Sequence, residues 1–242
     1  MLKRTRQTFI TSDTHFGHSN IIKYCKRPYT VEGGNRNPAN IPEVQRMNED
    51  ILKLFDRLPA NCDIWHLGDF FYAGGSPKDF DTRSVSEEIE SYVYRIRNGN
   101  DNRRLFLVLG NHDNGKRAWN IPNYSKSRID YYKSRGFDEV YDTPVLIEDK
   151  YILSHEPIWI EPGSHFVNLH GHTHDLCIPE DYFCYDQENY ARDYRDGVVP
   201  ELRYPEKKVN LINYKNVCLD FWRGIPHWKG DTLYVEEQYK IW

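Results

Sequence analysis

Five apolar runs in this 242-residue chain each end in side chains that bind metals, and this pattern constrains the fold more than any other feature. Phe9-Ile10-Thr11-Ser12 leads into Asp13-Thr14-His15, and Ile64-Trp65-His66-Leu67 into Gly68-Asp69. Leu105 to Leu109 leads into Gly110-Asn111-His112-Asp113, Tyr151 to Ser154 into His155, and Phe166 to Leu169 into Gly171-His172-Thr173-His174. Carboxylate, imidazole and amide oxygen are ligands for divalent first-row metals. If each run is a strand, its carboxyl end delivers these groups to one shared crevice at a sheet edge. The number of ligands predicts two metals rather than one.

The remaining periodicities fill in an α/β chain. Strands are predicted at Gln7–Ser12, Asp63–Leu67 and Leu105–Leu109, the last a continuous apolar run of the kind that is covered on both faces. Val44, Met47, Ile51, Leu54, Phe55 and Leu58 give Pro42–Leu58 one buried helical face. Val85, Ile89, Tyr92, Val93 and Ile96 do the same for a helix that Ser84 and Glu87 would open as a capping box. Short helices are expected at Ser19–Cys25 and at Tyr124–Arg135, the latter closed by Gly136. Tyr29–Ile41 and Ala73–Asp81 read as loops. Val145–Ile147, Tyr151–Ser154 and Phe166–Leu169, with closing strands at Asn216–Phe221 and Thr232–Glu236, predict a second sheet.

Composition excludes several classes. The net charge of -4 and the lack of a basic run argue against a general polyanion binder. Five scattered cysteines, with no C-x-x-C pair, fit a reducing compartment better than a disulfide framework. The basic start at Met1–Arg6 has no apolar stretch for a signal peptide, and no run is long enough to span a membrane. A cytoplasmic, soluble protein is expected. Residues 1–242 are expected to form a single domain with an insertion at 176–208, a segment rich in Tyr and acidic residues directly after the last ligand pair. Such a loop can serve as a partial lid, an oligomer contact or, through its aromatic rings, a base-stacking platform, with ordinary packing on its own domain as the competing reading of those rings.

The ordered set Asp13-x-His15, Gly68-Asp69, Gly110-Asn111-His112-Asp113, His155 and Gly171-His172-x-His174 resembles the calcineurin-like metallophosphoesterase superfamily. The opening Thr11-Ser12-Asp13-Thr14-His15-Phe16-Gly17-His18, followed by Arg27-Pro28, is similar to a branch of small bacterial and phage phosphoesterases. The resemblance spans about residues 7–221 and implies a four-layer α/β/β/α sandwich with two mixed sheets and a dinuclear site at their edge. It assigns Asp13, His15 and His174 to one metal, Asn111, His155 and His172 to the other, and Asp69 to both. Manganese is the metal expected first, with iron, zinc or nickel as alternatives.

The implied reaction is hydrolysis of a phosphomonoester or phosphodiester, of a small nucleotide-like substrate, by a metal-bridging hydroxide and without a phosphorylated enzyme intermediate. His112 is the expected proton donor to the leaving group. Asp113 either orients that imidazole or caps a turn. His18 and Arg27 are candidates for a substrate phosphate, with structural roles as the competing reading. His66 and His170 are expected in packing or in support of the ligands. A nuclease acting on DNA or RNA ends is the main alternative, and a non-catalytic protein-binding scaffold a further one. The scaffold reading would predict lost ligands, and none is missing.

Overall fold

The computed structural model describes residues 6–29, 42–72, 83–99, 102–114, 124–178, 180, 182–184, 204, 207, 210–229 and 232–241. Apart from Tyr29, the loops expected at 29–41 and 73–81, and most of the insertion at 176–208, lie outside these residues. The elements are β1 (Gln7–Thr11), α1 (Ser19–Tyr24), α2 (Pro42–Asp56), β2 (Cys62–His66), α3 (Arg83–Ile96), β3 (Arg104–Val108), α4 (Asn111–Asn114), α5 (Tyr124–Ser134) and β4 (Glu139–Tyr141), and of these only α4 and β4 are not expected from the sequence. Then come β5 (Val145–Ile147), β6 (Tyr151–Ser154), β7 (Val167–His170), β8 (Tyr214–Asn216), α6 (Leu219–Trp222), β9 (His227–Lys229) and β10 (Thr232–Tyr234).

Two mixed sheets result. The first has the order β10-β9-β1-β2-β3-β4, with β1 to β4 parallel and β9 antiparallel to β1. The second has the order β5-β6-β7-β8, with β5 antiparallel to β6 and the rest parallel. Strand β3 shows why its sequence is apolar at successive positions. Leu105 and Leu107 enter a core shared with α2, α3 and α5, while Phe106 and Val108 enter the core between the sheets. That inner core also holds Ile10, Trp65, Leu153 and Leu169, so the sheets face one another, as the sandwich requires. The outer face of the second sheet is covered, among the described residues, by Ile160, Ile178, Tyr182 and Phe183. The start of the 176–208 segment therefore packs on its own sheet.

The helix predictions hold where packing dictated them. All six apolar positions expected on the 42–58 helix are buried, although α2 ends at Asp56 and Leu58 follows it, and Ile89, Val93 and Ile96 bury the matching face of α3. Helix α3 begins at Arg83, one residue before the Ser84 expected to cap it. Gly136 closes the turn after α5 with φ +99°, a conformation that disfavours a side chain. Arg103 is 1% exposed and donates to the carbonyls of Phe55, Leu58, Pro59 and Ile96. These lie at or just after the ends of α2 and α3, where helical carbonyls lack partners, so one buried cation satisfies both ends.

One expectation fails near the C-terminus. Asn216–Phe221 is not a strand: pairing stops at Asn216, and Leu219–Trp222 is a turn of helix. The apolar residues Val217, Leu219 and Phe221 alternate as in a strand, but the chain there crosses from the second sheet to the first. Ser12 bridges to Cys218, and Leu219 N donates to Ser12 O at 3.1 Å. Strand β9 was also missed, because His227-Trp228-Lys229 is too short to show a period.

Candidate metal centre

Each ligand-bearing loop leaves the carboxyl end of a strand: Asp13 and His15 after β1, Asp69 after β2, Asn111 after β3, His155 after β6, and His172 and His174 after β7. Of ten non-glycine residues with positive φ among the described ones, five are Asp13, His15, Asp69, His172 and His174. Side chains at such φ values strain the backbone by about 1–3 kcal/mol each, and this strain collects at functional sites. The loops also approach one another without room for a Cβ at key points. At Gly171 a Cβ would lie 2.6 Å from Asp13 Oδ2 and from Ser12 Oγ, and at Gly110 it would collide with the backbone and carboxylate of Asp69. Gly68 is equally tight, with Gly110 N 2.6 Å from the position of a Cβ, and three of the five motifs accordingly contain glycine.

One set of side chains comprises Asp13, His15 and His174. Asp13 Oδ2 accepts from His172 N at 2.9 Å and from the Cys218 thiol at 3.1 Å. Asp13 Oδ1 and His15 Nε2 are buried with no hydrogen-bond partner and stand 3.7 Å apart, while His174 Nε2 is 3.9 Å from the same carboxylate oxygen. Burying polar atoms unpaired is costly unless something else occupies the space between them. His15 Nδ1 lies 3.2 Å from His18 Nδ1. If His15 turns a lone pair inward at Nε2, its Nδ1–H donates to His18, which fixes the tautomer of both rings.

A second set comprises Asn111, His155 and His172. His155 Nδ1 donates to Leu67 O at 2.8 Å, which turns its Nε2 toward Asn111 Oδ1 at 2.9 Å and His172 Nδ1 at 3.2 Å. His172 Nδ1 is 3.1 Å from Asn111 Oδ1. Asp69 stands between the sets. Its Oδ1 accepts from His112 N at 2.8 Å, and its Oδ2 is 3.5 Å from both His15 Nε2 and His155 Nε2. Burial pushes the Asp69 carboxyl up to about 7, so a cation there would displace a proton. Burial also holds His15 well below the ordinary histidine range, leaving it neutral, as a metal ligand must be.

His112 lies beside this centre. Its Nε2 is 3.8 Å from Asp69 Oδ2, and its ring meets His15 and Tyr72 edge-on at 5.1 Å. Tyr72 in turn stacks on His18 at 3.9 Å. The structure thus brings His18 to the site as the neighbour of His15.

Asp113 and Arg27 take the structural branch of their two readings. Asp113 accepts from Asp69 N, Phe70 N, Gly110 N and Tyr132 OH, and the His112 imidazole is not among its partners. Its carboxylate clamps the loops that carry Asp69 and Asn111. Arg27 is 3% exposed and donates to both oxygens of Asp220, to Thr14 O, to Asp13 O and to Met47 Sδ. All five guanidinium N–H groups are used within the protein, so Arg27 has none to offer a phosphate. It ties the Asp13–His15 loop from below instead.

His66 and His170 are supports, as expected. His66 Nε2 donates to Thr14 Oγ1 at 3.0 Å, since that hydroxyl already donates to Phe70 O. His170 Nδ1 donates to Gly171 O at 3.0 Å. Burial holds their pKa values down near 3 and 4, so both are neutral.

Sequence reasoning missed three supporting residues. Asp220 Oδ2 accepts from His174 Nδ1 at 3.1 Å, which directs His174 Nε2 toward Asp13. Burial alone would raise the Asp220 carboxyl, but Arg27 and His174 bring it down to about 2. Burial would lower His174, yet Asp220, Cys25 and Asp13 lift it to about 11. Asn216 donates to His174 O at 2.8 Å and Thr173 Oγ1 at 3.0 Å, holding the loop of the last ligand pair. Cys218 completes the set through its bond to Asp13. No motif marks any of them.

The family model for calcineurin-like phosphoesterases matches residues 7–236, and the chain belongs to that family of metal-dependent phosphoesterases. A relative from Methanocaldococcus jannaschii, the uncharacterized protein MJ1445, is 25% identical over 221 residues, covering 89% of this chain and 88% of its own. A solved structure, the protein of unknown function AQ665 from Aquifex aeolicus, is 20% identical with a TM-score of 0.42, covering 89% of this chain and 91% of that one. No helix among the described residues is long and apolar enough to cross a membrane.

Proposed function

We propose that the protein is a dinuclear metal-dependent phosphoesterase acting on a small phosphomonoester or phosphodiester, with a nucleotide-like substrate as the favoured class. One observation carries this reading: two buried atoms with no partner, Asp13 Oδ1 and His15 Nε2, cluster with Asp69, His155 and His174, and Asn111 and His172 stand against His155. Asp13, His15 and His174 would hold one cation, Asn111, His155 and His172 the other, and Asp69 would serve both through the carboxylate between the two sets. When bound, two such cations supply Lewis acidity toward a phosphoryl group and make water available as a nucleophile near neutral pH. Manganese suits this oxygen- and nitrogen-rich set, as do iron, zinc and nickel.

The chain's own residues supply the rest. His112 is partly open to solvent and next to Asp69, so its imidazolium can donate a proton to the departing alkoxide. Tyr72 and His15 flank its ring and restrict its orientation. Asp113 and Arg27 fix the loops so that the ligands are in place before substrate arrives. The test is a turnover screen with added manganese over p-nitrophenyl phosphate, bis-p-nitrophenyl phosphate, cyclic nucleotides, dinucleotides and single-stranded nucleic acid. Metal-dependent hydrolysis of the small esters is expected. Activity confined to nucleic acid would replace this reading with the nuclease, and inactivity toward all of them with both metals bound would leave the scaffold.

A further inference from the structure

Beside the set of Asp13, His15 and His174, a different group of metal-binding side chains comes together. Cys25 is the C-terminal cap of α1, Asp220 stands in α6, and His174 belongs to the loop after β7. One ligand atom from each, a thiol sulfur, a carboxylate oxygen and an imidazole nitrogen, lies within 4.8 Å of the others. The imidazole serves two directions. Its Nε2 is 3.9 Å from Asp13 Oδ1, while its Nδ1 is 3.1 Å from Asp220 Oδ2. Cys25 is half-buried and the His174 side chain 23% exposed, so an ion from solvent can reach them.

The donors differ in kind from those of the main centre. Carboxylate, imidazole and amide oxygen suit manganese, whereas a thiolate selects softer cations such as zinc. Zinc is satisfied by three protein ligands and a water. Its bonds set tetrahedral ligand atoms about 3.3–3.8 Å apart, close to the spacing of His174 and Asp220. Arg27 holds the carboxylate in place, donating to Oδ1 at 2.8 Å and to Oδ2 at 2.9 Å. An ion here would replace the proton between Asp220 and His174, so both bonds to Arg27 survive. The thiol gives up its own proton to water as sulfur binds the ion.

We propose that Cys25, His174 and Asp220 form a third metal site, for a soft divalent cation such as zinc or cadmium, which competes with the first catalytic cation for His174. A neutral imidazole has one lone pair to give. With an ion on Nδ1, the remaining ring proton sits on Nε2 and faces Asp13, and the first cation loses a ligand. The competition, though not the site itself, rests on the dinuclear reading.

The probe is cadmium, titrated into the whole protein and followed by the ultraviolet absorption of its bond to thiolate. The band should rise to a plateau in the native protein and be lost in Cys25→Ser, while Cys177→Ser and Cys218→Ser keep it. A thermal melt shows that each variant is folded, and Cys25→Ala stands in if the serine variant is not. Manganese bound beforehand should shift the titration to higher cadmium. The proposal is overturned if the native protein gives no band, or if folded Cys25→Ser keeps it, which would place the ion on another thiol. It is also overturned if the titration does not move while calorimetry shows two manganese ions bound. A Cys25-dependent band in a protein that binds no manganese would uphold the site and refute the dinuclear reading.

Discussion

In the half of the site carried by the first sheet, the Asp69 and Asn111 loops are held by Asp113, a residue of the ligand motifs themselves. Asp113, two residues after Asn111, clamps the backbone of Asp69, Phe70 and Gly110. In the half carried by the second sheet, the holding groups lie outside every motif. Asn216 grips the carbonyl of His174 from 42 positions away, and Asp220 orients its imidazole from 46. The first half is organised by short motifs around strand ends, and the second by the chain's later return through β8 and α6. A substitution in the first half should therefore strike chemistry directly. One in the second should act on metal affinity through an intermediary.

Asp69→Asn is the most damaging change expected, because this carboxylate faces both sets of ligands. It should abolish turnover and weaken binding of both cations, read by calorimetric metal titration. A variant that keeps two tight sites and normal turnover would remove the shared role.

His112→Ala should leave both metals bound and slow esters with poor leaving groups by about 10²–10⁴-fold. The loss for p-nitrophenyl esters should be smaller, since that leaving group needs less protonation. Equal losses would mean that His112 does something other than donate a proton.

Asp220→Asn tests the second half. Loss of a carboxylate behind a ligating imidazole typically costs about 10–100-fold in metal affinity or activity. Here the cation nearest His174 should be the one affected, and manganese titration with activity measured at saturating metal should recover most of the turnover. The same change leaves Arg27 buried without its carboxylate, so a stability loss of about 3–5 kcal/mol is expected in denaturant unfolding. In the native protein the depressed Asp220 carboxyl stabilises the fold above the ordinary aspartate range. That contribution fades as the pH falls toward about 2. If Asp220→Asn binds both cations as tightly as the native protein, the oriented-imidazole account of His174 fails.

The smallest effect expected is on pH dependence. In the metal-free protein His174, raised to about 11, carries a proton throughout the neutral range, and Asp69, raised to about 7, carries one increasingly below that pH. Cations must displace both. Metal affinity should therefore rise with pH by about tenfold per unit from the first proton alone, and more steeply below pH about 7, where the second joins it. Calorimetry in buffers of different ionisation enthalpy counts the released protons. Binding that releases none would contradict both shifts.

The same contrast explains what could be read from sequence. Strand ends with Asp, Asn or His after an apolar run announce themselves, and the burial of Val44, Met47 and Ile51 follows from spacing alone. Asp113 was ambiguous because a carboxylate near an imidazole and one capping a turn have identical spelling. Only the fold distinguishes them. For Arg27 the sequence allows both a phosphate contact and a structural role, and its partner Asp220, 193 residues away, is what reveals the second. Asp220 itself was hidden in a segment whose alternating Val217, Leu219 and Phe221 imitate a strand. Backbone strain at Asp13 and His174 leaves no mark in sequence at all.

The central claim is that Asp69 stands between two cations at one edge of the sandwich. Electron paramagnetic resonance of the manganese-loaded native protein addresses it most directly, alongside the metal content per chain. Two ions per chain with an exchange-coupled spectrum are predicted, since only neighbours sharing a ligand interact in this way. A single ion, or two ions giving the spectrum of isolated Mn²⁺, would contradict the account.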